Sequence, residues 1–340
     1  MGILSKYKKE ILLLIIVSIV CLLVFEAAVR ISGWPVPTKK DYPEGMTIYN
    51  ESRGYALNPG FQGTFPNSNV SISINSKGLR DGEHNYEKQE GKFRILALGD
   101  SVTFGSGVPH EYIYHSVIEK NLIEKGYDVE VLNAGVGGYE FSQQKTYYLE
   151  EGYKYNPDIV IFGVVLNDLG KPDLGQIKSN FEKYNHETPY DSPLRSAIKK
   201  TCNSCVFVYS IMFNFNKRYA DVIYGFWEDE EIREDYFSQL EELDSTFSGR
   251  GSEMVLVVFP YTWQFSEFND EYSKGLLPQE KLKEFGEQNG IEVIDLYPVL
   301  NREDYFEYFI PYDNLHLNEE GNVLVADYIT EELLMRGMIG

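Results

Sequence analysis

The sequence predicts an α/β fold in which helices cover both faces of a central parallel sheet, preceded by a transmembrane helix. From residue 91 onward, short runs of continuously apolar residues alternate with stretches whose apolar residues follow a helical period. Strands that are apolar throughout are typical of parallel sheets, because those sheets are buried on both faces. A long uncharged apolar run near the N-terminus predicts the membrane helix.

The composition excludes several classes of protein. The chain has 340 residues, 43% of them hydrophobic and 14% aromatic, so it is neither disordered nor collagen-like. Its 52 acidic and 31 basic residues give a formal charge of −21, which argues against nucleic acid as a partner. Three cysteines are too few for a multi-bridge disulfide scaffold, so an apolar core must hold the fold together.

The first element is a predicted signal anchor. No charged residue lies between Ile11 and Phe25, and a helix extended a few residues further approaches the ~30 Å thickness of a bilayer core. Glu26 and Arg30 are four residues apart and can pair on one helix face. We predict a lipid bilayer as the partner of this helix.

The charge pattern predicts the topology of the anchor. Basic residues near the start favour a cytoplasmic N-terminus at 1–10, a single membrane span at 11–32 and an extracytoplasmic location for the rest of the chain. A cleaved signal peptide is the rival interpretation. Glu26 and the lack of a small-x-small cleavage site count against it.

Residues 33–90 are predicted to form a juxtamembrane, strand-rich extension. This segment is rich in proline, glycine and asparagine, and residues 70–74 (VSISI) alternate between apolar and polar. That alternation predicts a strand or hairpin, which we expect to pack on the main domain rather than fold alone.

Strands and helices then alternate through the main predicted domain at 91–340, which carries the candidate site residues described below. The predicted strands and helices, in chain order, are strand 93–98, helix 111–124, strand 129–132, helix 140–152, strands 158–165, 254–259 and 291–294, and a last helix beginning after the N-cap Asn318.

One connection is longer than a crossover needs. Between Asn167 and Met254 lie 86 residues, whereas a crossover helix and its loops take ~30. The surplus, about 169–252, is rich in aromatic residues and is predicted to be a helical insert. It leaves from the sheet edge where α/β folds bind ligands, so a cap over the site is one interpretation. An ordinary helical elaboration whose rings belong to the core is the other.

Polar side chains follow the strands at their carboxyl ends. Ser101 follows the first strand of the predicted sheet, Gly138 the second and Asn167 the third, while Asp313 and His316 precede the last helix. Because the carboxyl ends of parallel strands share one edge, we expect these residues to converge. Each has an ordinary structural interpretation when taken alone, as a turn, a cap or a surface histidine.

Together these residue types predict acyl transfer. Ser101 is the candidate nucleophile, His316 its base, and Asp313 the group that orients the imidazole. The backbone N–H groups of Ser101 and Gly138 and the side-chain amide of Asn167 are candidates for an oxyanion hole. Asp313 and His316 could instead be two metal ligands, but the sequence offers no third and fourth ligand nearby. The predicted chemistry requires no cofactor and no metal.

Four sequence blocks resemble those of the SGNH, or GDSL-type, hydrolases. They occur in the family's order and put Ser101, Gly138, Asn167 and His316 with Asp313 in the corresponding positions: residues 98–105 (LGDSVTFG), 133–138 (NAGVGG), 165–168 (VLND) and 313–316 (DNLH). The resemblance covers about residues 91–340. It implies a flavodoxin-like three-layer α/β/α sandwich that hydrolyses esters.

Two details qualify that resemblance. Val165 stands where the third block commonly has glycine, which affects local backbone geometry more than the catalytic roles. Thr103 stands where the elbow of an α/β-hydrolase needs its second glycine, so that family is excluded. Residues 75–80 (NSKGLR) also resemble a lead-in found in membrane-anchored members.

Cys202 and Cys205 are not part of the predicted chemistry. Their spacing allows either a local disulfide or two separate thiols, and a redox or zinc role lacks the surrounding residues that it would need.

The function predicted from the sequence is a membrane-anchored serine esterase. Acylated small molecules or O-acylated, including O-acetylated, surface glycans are the expected substrates. Two alternatives stay open. One is an O-acyltransferase that uses the same site, and the other is a catalytically silent glycan-binding or scaffold protein that retains the fold.

Overall fold

The computed structural model describes residues 7–32, 42–65, 70–184, 201–213, 215–265, 275–311 and 313–340, with backbone only at 209–213 and 215–218. These residues fall into two compact units. One contains the N-terminal helix and the described residues of 190–218, including a short helix at Asn203–Phe213, and the other contains the sheet with the remaining elements of 40–189 and 219–340.

The described helices and strands are as follows. The strands are β1 (Thr47–Asn50), β2 (Gly54–Leu57), β3 (Gln62–Thr64), β4 (Ser71–Ser73), β5 (Phe93–Gly99), β6 (Val129–Gly135), β7 (Ile159–Val165), β8 (Glu253–Phe259) and β9 (Glu292–Asp295). The α-helices are α1 (Lys8–Ile31), α2 (Ser101–Phe104), α3 (Tyr114–Glu124), α4 (Phe141–Glu150), α5 (Leu174–Tyr184), α6 (Asn203–Phe213), α7 (Phe215–Glu228), α8 (Glu230–Ser248), α9 (Leu277–Asn289), α10 (Tyr297–Leu300) and α11 (Glu319–Met335). Short 3-10 helices lie at His110–Tyr112, Gly152–Tyr155, Thr262–Gln264 and Tyr305–Tyr308.

The central sheet has five parallel strands in the order β6-β5-β7-β8-β9. Counted along the chain, this is the order 2-1-3-4-5, which is that of flavodoxin-like folds. Every residue of β7 is buried, which requires cover on both faces of the sheet. The predicted α/β sandwich with a parallel sheet is confirmed.

The structure refines several predicted boundaries. The second strand of the predicted sheet continues from Val129 to Gly135, beyond the expected end at 132. Helix α3 begins at Tyr114 rather than at 111, because His110–Tyr112 forms a 3-10 turn and Ile113 is extended. The last helix begins after Asn318 as predicted, and the Asn318 side chain accepts a hydrogen bond from the N–H of Gly321.

The segment before the sheet forms two short antiparallel hairpins, β1–β2 and β3–β4. The strand predicted at 70–74 is β4, whose Ile72 is buried together with the following Ile74. Both hairpins belong to the same compact unit as the sheet. The boundary at residue 90 between an extension and a catalytic domain stays a prediction.

The long connection after β7 is helical in its described parts, α5 to α8. Trp227 and Tyr236 are buried, and the Trp227 indole donates to the carbonyl of Leu166 at 2.7 Å. Tyr219 is 45% exposed. Rings of α7 and α8 therefore belong to the core, as the second interpretation of the insert expected, whereas Tyr190 of that insert lies outside the described residues.

Helix α1 is long and apolar enough to cross a membrane, and it lies near the N-terminus, where signal sequences have the same character. None of its membrane-length window is buried against protein in the described structure. Arg30 Nε lies 2.7 Å from Glu26 Oε1, which confirms the predicted pair. Cys202 and Cys205, just before and within α6, are joined in a disulfide.

Candidate active site

The candidate nucleophile is held at the carboxyl edge of the sheet by a very short helix. Strand β5 ends at Gly99, Asp100 caps the next turn by accepting from the N–H of Val102 at 2.8 Å, and Ser101 begins α2. This turn lies directly on the neighbouring strand. A Cβ at Gly135 would come within 2.3 Å of the backbone nitrogen of Phe104, so only glycine fits there.

A buried arginine fixes the other end of the nucleophile turn. The guanidinium of Arg80 donates to the carbonyls of Phe104 at 2.9 Å, Gly105 at 2.5 Å and Val108 at 2.7 Å. Burial lowers the pKa of Arg80 to about 10, which leaves the side chain cationic at neutral pH. Arg80 thereby pairs the carbonyl of Phe104 at the C-terminal end of the helix and ties that end to the loop that follows.

Ser101, His316 and Asp313 form a continuous hydrogen-bonded chain. The Nε2 atom of His316 lies 2.8 Å from Ser101 Oγ, and its Nδ1 atom lies 2.8 Å from Asp313 Oδ1. Because a carboxylate can only accept, Nδ1 carries the proton and Nε2 is free to accept from the serine. Asp313 Oδ1 also accepts from the backbone N–H groups of Leu315 at 3.0 Å and His316 at 2.8 Å, which orients the carboxylate.

Asp100 is a second acceptor beside the serine. Its Oδ2 atom lies 3.2 Å from Ser101 Oγ, farther than His316 Nε2. Burial raises the pKa of Asp100, and this carboxyl also caps the nucleophile turn through the N–H of Val102. The contact to His316 is shorter, and Asp313 orients this imidazole with Nε2 toward the serine, so His316 is the candidate that can activate the hydroxyl.

Gly138 lies in a turn after β6 that aromatic hydroxyls hold in place. Gly138 has φ +77°, a conformation that favours glycine. The Tyr55 hydroxyl donates to the carbonyl of Gly137 at 2.9 Å. Tyr42 packs so closely that a Cβ at Gly137 would come within 1.9 Å of its hydroxyl oxygen. Two residues from the segment before the sheet thus shape this turn.

Asn167 is oriented by a tyrosine that the sequence did not single out. The Tyr261 hydroxyl donates to Asn167 Oδ1 at 2.8 Å, so the amide nitrogen faces away from this contact. Val165 pairs with Phe259 across β7 and β8, and each of the two polar residues stands two positions further on. The register of β7 and β8 therefore brings Tyr261 next to Asn167, and this register cannot be read from the sequence alone.

The loop that carries Tyr261 also contacts the loop that carries the candidate base. Tyr261 is buried and stacks on Trp263, with ring centroids 4.0 Å apart. The N–H of Thr262, between them, donates to the carbonyl of Asn314 at 2.8 Å. One short loop after β8 thereby links the amide of Asn167 to the segment between Asp313 and His316.

A second cluster of histidines surrounds Asp81, away from the candidate triad. Asp81 Oδ1 lies 3.2 Å from His110 Nε2, and Oδ2 lies 3.3 Å from His84 Nε2 and 3.7 Å from His115 Nε2. Oδ2 also accepts from the N–H of Asn133 at 2.9 Å. Burial opposes ionisation of Asp81, but hydrogen bonds from these imidazoles outweigh it and hold its pKa well below the usual value.

Three of these residues, Asp81, His110 and His115, come close enough together to be considered as metal ligands. The orientation of Asn133 argues against that role for His115. Asn133 Oδ1 accepts from the N–H of Gly135 at 2.9 Å, so its Nδ2 faces His115 Nδ1 at 3.2 Å and donates to it. The proton of neutral His115 is then on Nε2, the atom that would have to bind the metal. The cluster is better described as a carboxylate held by several hydrogen-bond donors.

The chain matches the sequence model of the GDSL-like Lipase/Acylhydrolase family over residues 97–324. It is 28% identical to an arylesterase of Vibrio mimicus over 137 residues, which are 39% of this chain and 63% of that protein. The match thus spans less than two thirds of that relative.

Solved structures with a similar fold are more distant in sequence. A lipase/acylhydrolase from Enterococcus faecalis is 17% identical, with a TM-score of 0.44 over 72% of this chain and 96% of the other. An acetylxylan esterase from Geobacillus stearothermophilus is 15% identical, with a TM-score of 0.44 over 71% and 94%. The family match covers more than half of the chain, including Ser101, Gly138, Asn167 and His316. The chain belongs to the GDSL-like lipase/acylhydrolase family.

Proposed function

We propose that the protein is a membrane-anchored serine esterase. The observation that carries the proposal is the hydrogen-bonded chain from Asp313 through His316 to Ser101, with 2.8 Å at each step. A serine hydroxyl is a weak nucleophile at neutral pH, and a neighbouring base that can take its proton is the feature that activates it.

In the first half of the reaction, His316 Nε2 takes the proton of Ser101 as the serine oxygen attacks the carbonyl carbon of the ester. Asp313 stabilises the imidazolium that forms. When the tetrahedral intermediate collapses, the bond to the alcohol breaks and His316 returns the proton to the departing oxygen. The acyl group is then on Ser101.

The negative oxygen of the intermediate needs donors that are already in position. We assign this role to the backbone N–H groups of Ser101 and Gly138 and to the side-chain amide of Asn167. The contact from Tyr261 to Asn167 Oδ1 supports the assignment, because it occupies the acceptor end of the amide and leaves its N–H₂ end for substrate.

In the second half, His316 takes a proton from water, which attacks the acyl group on Ser101. Collapse of this second intermediate releases the carboxylic acid, and His316 reprotonates the serine. If a sugar hydroxyl takes the place of water, the same steps give acyl transfer. An assay with and without a glycan acceptor, followed by product analysis, separates the two.

We further propose that α1 anchors the enzyme and that the catalytic domain is extracytoplasmic. The disulfide between Cys202 and Cys205 supports this location, since disulfides persist in oxidising compartments. O-acylated surface glycans are the proposed substrate class, because exposed Tyr219 lies next to Tyr261 and Trp263, and aromatic faces suit sugar rings.

The test is acyl release by the full-length protein in detergent or vesicles. A panel of aryl acetates, longer acyl esters and acetylated oligosaccharides should include substrates that wild-type protein hydrolyses and Ser101→Ala does not. Equal turnover by both proteins would contradict the proposed nucleophile. No turnover of any member, together with unchanged glycan binding by Ser101→Ala, would favour a silent binding protein.

A further inference from the structure

Helix α6 belongs to an uncharged stretch of sequence that has a pair of basic residues at each end. No charged residue occurs from Thr201 to Asn216, and basic pairs stand on either side, at residues 199–200 (KK) and 217–218 (KR). These four cations flank an apolar segment in a chain whose formal charge is −21. A helix that is apolar on all sides needs an apolar environment, and basic residues next to it in the sequence suit anionic lipid headgroups.

The described part of this stretch packs on the C-terminal end of α1. Glu26 of α1 accepts hydrogen bonds from the N–H of Asn203 at 3.0 Å, from the N–H of Ser204 at 2.8 Å and from the Ser204 hydroxyl at 2.7 Å. The rings of Phe25 and Phe207 also meet, with centroids 5.9 Å apart. The two helices form one compact unit.

These contacts explain the charged residues near the end of an otherwise apolar helix. Glu26 caps the first turn of α6, where a negative charge is favourable. Arg30 pairs with Glu26 and donates to the carbonyl of Thr201 at 3.0 Å. The charged residues at the end of α1 therefore bind the start of α6, in addition to the proposed role of α1 in crossing a membrane.

The side chains around these contacts leave apolar surface uncovered. Val208 of α6 is 41% exposed, and Leu22 and Val24 of α1 are 64% and 63% exposed. Because Phe207 contacts Phe25, the exposed Val208 belongs to a helix that packs beside one long enough to span a bilayer. Lipid fits such a surface better than water does, and anionic headgroups fit the basic pairs beside it.

We propose that α6 is a second membrane-contacting element, lying in the lipid interface against the anchor. The inference rests on the proposed anchoring role of α1. With 11 residues, α6 is ~16 Å long and cannot cross a ~30 Å hydrocarbon core. The insert is then tied to the bilayer independently of the chain that follows α1.

Site-directed spin labelling of the full-length protein tests this. Cys21 is the free cysteine, so Cys21→Ser provides a background in which Val208→Cys, Leu22→Cys and Ile123→Cys are labelled one at a time. Leu22 is the anchor control, and Ile123 on α3 is a matched exposed apolar control in the other unit, at 51% exposure. Each protein is reconstituted into vesicles of phosphatidylethanolamine and phosphatidylglycerol.

Power-saturation EPR then compares collisions with oxygen, which concentrates in lipid, and with a water-soluble nickel chelate. We expect the Val208 label to resemble the Leu22 label, with access to the chelate several-fold lower than at Ile123 and high access to oxygen. Chelate access at Val208 equal to that at Ile123, or exclusion of both reagents by a protein partner, would overturn the inference. An aqueous Leu22 label would overturn the anchor as well.

Discussion

Two Asp–His clusters in this protein use the same residue types in different ways. At the edge of the sheet, Asp313 holds the Nδ1 side of a single imidazole, and Nε2 of His316 faces Ser101 at 2.8 Å. Around Asp81, three imidazoles point their Nε2 atoms toward one carboxylate. In the first cluster the carboxylate orients an imidazole that can act as a base. In the second cluster the carboxylate of Asp81 is the acceptor that three imidazoles surround.

The difference shows what a histidine needs in order to be a base. His316 keeps one ring nitrogen free to accept a proton, and its side chain is 18% exposed, so substrate can approach. His115 is 1% exposed, and burial lowers its pKa, which keeps the ring neutral among donors that already satisfy Asp81. We therefore expect changes at the first cluster to affect turnover, and changes at the second to affect stability.

Removing the base should have the largest effect on turnover. His316→Ala leaves Ser101 without a proton acceptor at Nε2, so kcat should fall by roughly 10³-fold or more, with little change in thermal stability. Steady-state kinetics and a melting curve on the same preparation check both parts. Turnover within about tenfold of wild type would refute the assigned base.

Asp313→Asn should have the second-largest effect on turnover. The amide keeps an oxygen for the backbone N–H groups but no longer fixes the tautomer of His316, so kcat should fall by roughly 10²- to 10⁴-fold at unchanged KM. The comparison variant is Asp81→Asn. If Asp313→Asn and Asp81→Asn lowered kcat equally, the distinction between the two clusters would be wrong.

Tyr261→Phe removes one hydroxyl and should lower kcat by about tenfold, as the loss of one orienting hydrogen bond predicts. A double-mutant cycle with Asn167→Ala gives the specific readout, because the effect of Tyr261→Phe should disappear once the amide is gone. Tyr224→Phe is the control, since it also removes one hydroxyl of a buried tyrosine, which donates to the carbonyl of Gly275 at 3.0 Å rather than to Asn167. An undiminished effect in the Asn167→Ala background would show that Tyr261 acts elsewhere.

Asp81→Asn should lower stability and leave turnover nearly unchanged, whereas changes at the triad should do the reverse. Replacing a buried carboxylate that several donors share should lower the free energy of unfolding by about 3 kcal/mol, while kcat per folded molecule changes by no more than about threefold. Denaturant titration and active-site-normalised kinetics measure the two quantities. A stable but inactive Asp81→Asn protein would assign the second cluster to the reaction.

The smallest expected effect is a pH dependence of stability that comes from His84. Burial opposes the charged form of His84, but contacts with Asp81 and Glu130 raise its pKa to about 9. The stability that this shift provides is therefore complete below about pH 6.5, and it is lost as the pH rises through about 9. The melting temperature of wild type should fall across that window more than that of His84→Gln. Identical slopes for the two proteins would contradict the assignment.

The sequence predicted the parts of the molecule that depend on local pattern. Ser101, Gly138 and Asn167 each follow an apolar strand, and the parallel arrangement of those strands is enough to bring the residues to one edge. Arg80 and Tyr261 could not be assigned in this way. Arg80 meets carbonyls near residue 105 through the folding of the segment before the sheet, and Tyr261 meets Asn167 through strand register.

The histidines around Asp81 illustrate the same limit. His84 lies on a loop, His110 in a 3-10 turn and His115 on α3, and nothing in their spacing distinguishes them from surface residues. The disulfide between Cys202 and Cys205 was one of two open possibilities, since side-chain direction at the start of a helix decides it. Contacts between distant segments, rather than motifs, account for what the sequence left open.

The most direct test of the central claim is covalent labelling of the full-length native protein by a fluorophosphonate, with the modified peptide identified by mass spectrometry. The hydrogen-bonded chain to His316 predicts a single adduct on Ser101, which is lost in Ser101→Ala, in His316→Ala and after denaturation. An unlabelled Ser101 in folded wild-type protein, or equal labelling in His316→Ala, would contradict the account.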